Sequence, residues 1–102
     1  MPFERCAGLS FTAIAIQNAV PSTSGVYGLS NANEWVYIGV SDDIREALLA
    51  LLAGRDTYVK SRRPTGFTFE ICAPHERAAR QDQLVLEFEP FCNRMRDQRH
   101  PG

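Results

Sequence analysis

The chain has few of the residue groupings that usually announce chemistry. Its three cysteines, Cys6, Cys72 and Cys92, are odd in number and far apart. No two make a C-x-x-C pair and no histidine pair stands near, so neither a disulfide framework nor a zinc site organises the fold. Three reduced thiols in a cytoplasmic protein is the expectation, with Cys72 and Cys92 as core filler. His75 and His100 are isolated, and no cysteine has a histidine base near it in sequence, which argues against a thiol nucleophile. No apolar run approaches the roughly 20 residues of a membrane span. The N-terminus carries Glu4 and Arg5 without an apolar core segment, so no signal peptide is expected. Gly25 and Gly28 lack the rest of a phosphate-binding glycine loop. The formal net charge is -1, so the field of the whole molecule does not draw in nucleic acid, and such binding needs a local patch. There is no internal repeat and no low-complexity segment.

What is present is a single domain of ordinary composition. The chain has 102 residues, 44% apolar and 23% charged, enough for one modest core. Its organising stretch is Gly25 to Gly39, GVYGLSNANEWVYIG. Val26, Tyr27 and Leu29 belong to a first strand, and Trp35 to Ile38 with Val40 to a second. Ser30-Asn31-Ala32-Asn33 between them is turn chemistry, because asparagine tolerates positive φ and bonds its own backbone. Each strand places a tyrosine near a glycine.

Around the hairpin the elements read in order. Residues 1–20 form a leader with one strand candidate, Ser10 to Ile16, whose rival is a short helix through Ala19. Val20 to Ser24 is a linker. Ser41 to Gly54 is the clearest helix: Ser41 or Asp42 caps it, and Ile44, Ala47, Leu48, Leu51 and Leu52 make one apolar face. Gly54 ends it. Arg55 to Thr65 is polar and basic, read as a solvated loop or, with Arg55, Lys60, Arg62 and Arg63, as a phosphate-contacting patch. Gly66 to Cys72 is a third strand. Pro74 opens a second helix and Pro90 stops it. Residues 94–102 are a basic tail, expected to be disordered.

Gly25-Val26-Tyr27, then Tyr37-Ile38-Gly39, then a helix opening at Asp43-Ile44, resembles the GIY-YIG endonuclease domain. Gln81 to Asn93, with its Pro90-x-x-Asn93 ending, is similar to that family's closing segment. The resemblance spans residues 21–93. It implies an α/β (α+β) domain with a central, mainly antiparallel three-stranded sheet flanked by helices. It also implies phosphodiester cleavage with one divalent metal, aided by two tyrosines, a helix arginine, a metal-holding glutamate and a bracing asparagine. Charge builds on phosphate oxygens in such a reaction, so a cation and a fixed guanidinium suit it.

Residue by residue, Tyr27, Tyr37 and Asn93 match the pattern. The arginine position falls on Ala47 and the glutamate position on Gln81, so both charged positions are neutral. Arg45 lies about 200° round the helix from Ala47 and is no replacement. Among acids near Gln81, Asp82 is the nearest, about 100° off, and Glu76 and Glu87 fit worse. An amide holds a hard divalent cation poorly. Losing one such charge costs roughly 10²–10³ in rate. The expectation is a domain that keeps the scaffold without cleavage, needs no cofactor and binds DNA, RNA or a protein partner away from membranes. The alternative is a divergent nuclease using Mg²⁺ or Mn²⁺. Ala47 and Gln81 also read as packing choices, and the two tyrosines as ordinary strand residues with one hydrogen bond each.

Overall fold

The computed structural model describes residues 9–93. The leader up to residue 8, with Cys6, and the basic tail of residues 94–102 lie outside them. The elements are β1 (Leu9–Ser10), α1 (Ala13–Ala19), β2 (Gly25–Ser30), β3 (Trp35–Ser41), α2 (Ile44–Leu52), α3 (Thr57–Ser61), β4 (Gly66–Ile71) and α4 (Arg77–Phe88). The three expected strands form one antiparallel sheet with β2 in the centre. The two-residue β1 extends it on the far side of β4, giving the order β1-β4-β2-β3.

The hairpin forms because its loop closes itself. Asn31 Oδ1 accepts from the backbone N–H groups of Asn33 and Glu34 at 2.8 and 3.0 Å. The register shifts between Leu29 and Ser30, so Val36 is an extra residue opposite the β2 strand. Leu29 therefore pairs with Tyr37 and Tyr27 with Gly39, which puts both tyrosines on one face.

Alternation along the strands fills two cores. Tyr27, Leu29 and Phe67 face α1, α2 and α3, together with Ile16, Ile44 and Leu48. Val26 and Ile38 face α4 and pack on Leu84, with Trp35, Val85 and Phe88 around them. The chain after α4 then crosses the outer edge of β3. Glu89 adopts left-handed φ 48°, ends the helix, and turns Phe91 and Cys92 back toward the first core.

Four expectations need correction. Ser10 to Ile16 is a strand only as far as Ser10, and Ala13–Ala19 is the helix that stood as its rival. Thr12 caps it, its hydroxyl accepting from Ala15 N at 3.2 Å. The basic stretch is not all loop: Asp56 caps the short helix α3 by accepting from Tyr58 N and Val59 N. Pro74 sits in a turn ahead of α4, which starts at Arg77. The helix expected over residues 41–54 forms as Ile44–Leu52 and is followed by Gly54 at φ +88°, but its cap is Asp43 and not Ser41 or Asp42, because Ser41 Oγ instead accepts from Asp43 N at 3.0 Å.

Candidate functional site

Two phenols define the site. The Tyr27 and Tyr37 rings lie with centroids 6.1 Å apart and planes tilted by 56°. Gly39 makes this possible: a Cβ there would lie 2.5 Å from Tyr27 Oη and 2.8 Å from Tyr37 Cε2. The glycine is needed for space, because two rings converge on its backbone. Tyr27 is 6% exposed, and Tyr37 is half-buried beside it.

Asn93 and Gln81 meet on the backbone of Ile38, between Tyr37 and Gly39. Asn93 Oδ1 accepts from Ile38 N at 2.8 Å and its Nδ2 donates to Ile38 O at 2.9 Å. Gln81 Nε2 donates to the same carbonyl at 3.0 Å. The structure thus brings four of the five predicted positions together around β3. Ala47 is half-buried on α2 and packs against the same core as Tyr37.

Arg45 Nε donates to Val20 O at 2.7 Å, on the other side of α2, and Asp82 and Glu87 are exposed on α4. The predicted basic residues do not act as one group. Arg62 is committed: Nε and Nη2 donate to Glu34 Oε2 at 3.0 and 2.7 Å, and its guanidinium lies 3.8 Å over the Phe91 ring. Arg55, Lys60 and Arg63 are exposed.

Sequence reading missed two features. One is a groove of about 440 Å³ beside Ala47, lined also by Ser41, Glu46, Leu49, Ala50, Ala53 and Arg55. Neither tyrosine lines it. The other is Arg77, which donates to Ser24 Oγ at 3.0 Å and pairs with Asp42, tying the start of α4 to the strand ends. Nothing local in the sequence marks either, since both join segments distant along the chain. Cys72 stands near this end of α4. Burial first, then Glu76 and Glu70, pushes its thiol above the ordinary value, the wrong direction for a nucleophile.

Among the described residues no three His, Cys, Asp or Glu side chains gather as metal ligands. The donor set at the phenols is two carboxamides, both turned to Ile38. A divalent cation of the hard class takes charged oxygen ligands, and these residues do not fit one. No helix among the described residues is long and apolar enough to cross a membrane.

The chain has the GIY-YIG endonuclease domain fold. It superposes on the N-terminal endonuclease domain of UvrC from Thermotoga maritima. A point mutant of that domain bound to its catalytic divalent cation gives a TM-score of 0.62 at 17% identity, covering 74% of this chain and 91% of that one. The magnesium-bound domain gives 0.62 at 18% identity with the same coverage. No protein-family model matches the chain, and no curated protein matches it by sequence.

Proposed function

We propose that this domain is a GIY-YIG-fold module that does not cleave phosphodiesters and that binds nucleic acid through exposed cations on the α2–α3 side. The observation that carries the reading is the state of position 81. Gln81 is a neutral amide whose nitrogen donates to the Ile38 carbonyl. With Ala47 packed into the apolar face of α2, the phenol pair has neither an acidic ligand nor a guanidinium at the two positions where the resemblance places them. Tyr27, Tyr37 and Asn93 then serve as scaffold. Arg55 lines the groove beside Ala47, and Lys60 and Arg63 follow along the chain. These three, and not Arg62, are the contacts to backbone phosphate.

Purified protein is expected to leave plasmid, single-stranded DNA and RNA intact in Mg²⁺ or Mn²⁺, while retarding labelled DNA at low salt. Metal-dependent cleavage that Tyr27→Phe abolishes would overturn the reading. One observation favours the alternative of a divergent nuclease: Glu46 and Arg55 share the groove with Ala47, so an acid and a cation are both at hand. Calorimetry separates the two. One-site Mn²⁺ binding that Glu46→Gln removes supports the nuclease, and no heat of binding supports the module.

A further inference from the structure

Ile38 is the midpoint of a seven-residue strand that forms the outer edge of the sheet. Its outward N–H and C=O meet a side-chain clamp of three hydrogen bonds, two from Asn93 and one from Gln81. The two Asn93 contacts have opposite polarity, which fixes how its amide is turned. A carbonyl oxygen only accepts, so whatever side chain meets it from position 81 must bring an N–H or O–H.

We infer that Gln81 is a positioning residue that works as a hydrogen-bond donor. With Asn93 it clamps β3 at Ile38 and so holds the Tyr37–Gly39 segment against Tyr27. The tolerance there is small, because the phenol rings already fill the space a Cβ on Gly39 would need. A slip of the strand by a few tenths of an ångström closes that space on one ring or the other. Position 81 is thus more than a ligand that lost its charge. A carboxylate there would set an acceptor against an acceptor. The inference concerns how β3 is held, and it stands whether or not the domain cuts nucleic acid.

The test is Gln81→Glu, compared with wild type at each pH. Ionised, the new side chain has no proton to give; protonated, it regains an O–H donor. Its neighbours one turn away on α4 are Arg77, Ala78, Leu84 and Val85. Of these only Arg77 is charged, and it is held by Asp42 and Ser24. β3 and residues 90–93 present the Ile38 backbone, the Asn93 amide and, as the adjoining titratable group, Tyr37.

The readout is the protection of the Ile38 amide against hydrogen exchange, set against those of Tyr37 and Gly39. At neutral pH the variant is expected to lose about tenfold in Ile38 protection, equivalent to about 1.4 kcal/mol. The loss relative to wild type should close as the pH falls toward about 4, where a carboxyl takes up its proton. Added Mg²⁺ should not close it. Gln81→Leu removes the donor without adding a charge, leaves Asn93 alone to hold the Ile38 N–H, and should show the same loss at every pH, which serves if the charged variant does not fold. Protection equal to wild type in either variant at neutral pH overturns the inference. So does a Gln81→Glu loss that ignores pH, or one that Mg²⁺ repairs.

Discussion

Thr68 lies at the centre of β4, opposite Gly28 of β2, and is fully buried. Its Oγ1 has no hydrogen-bond partner among the described residues. A buried hydroxyl without a partner forfeits its hydration and gains nothing in return, whereas a methyl of the same shape loses nothing. Thr68→Val is therefore expected to raise stability by about 1 kcal/mol, read as a higher urea midpoint with an unchanged slope. A lower midpoint would mean that the hydroxyl has a partner after all, such as a bound water. The same accounting explains why the carboxamides of the clamp are no liability. Asn93 and Gln81 are half-buried, and three of their polar atoms are matched at 2.8 to 3.0 Å.

Among the elements, α2 was legible because its apolar face and its glycine stop agree, although the cap falls one residue beyond the two candidates. Asp43 accepts from Glu46 N at 3.0 Å, and Ile44 and Leu48 are fully buried on one face. Gly54 takes the positive φ that follows the last turn. Removing the cap by Asp43→Ala should cost about 1 kcal/mol, seen as a lower melting temperature with the native circular dichroism retained. No change would show that Ser41 can cap in its place. Helix α1 was not legible, because Ala-Ile-Ala-Ile satisfies a period of two. As a strand it would put Ile14 and Ile16 on one face. In the helix they lie about 200° apart, and Ile16 is fully buried while Ile14 is 72% exposed. The single burial site offered by the core decided between them. At the site, the resemblance named the two tyrosines, but their common face follows from the strand register and the bulge at Val36, which the sequence did not mark. The clamp was invisible, because it joins residues 43 and 55 positions apart through side chains that read as polar filler.

For the molecule as a whole, binding to nucleic acid has to come from a patch, since the formal charge is -1. Of the four basic residues between Arg55 and Arg63, the structure takes one away: Arg62 ties α3 to the hairpin loop through Glu34 and covers Phe91. Three exposed cations remain. If each neutralises one phosphate on duplex DNA, log K should fall with log salt at a slope of about -2.7, from about -0.9 per contact. Fluorescence anisotropy of a labelled duplex across a salt series measures this. Arg55→Ala, Lys60→Ala and Arg63→Ala should each weaken binding and flatten the slope by about 1. Arg62→Ala should leave the slope alone and lower the melting temperature, because it removes a tie between α3 and the hairpin and exposes a ring. The opposite pattern, a flatter slope from Arg62→Ala and none from the other three, would mean that the Glu34 pair opens to release Arg62 when DNA arrives. Binding that ignores salt would assign the exposed cations to solubility and leave the groove beside Ala47 to a ligand that carries no phosphate.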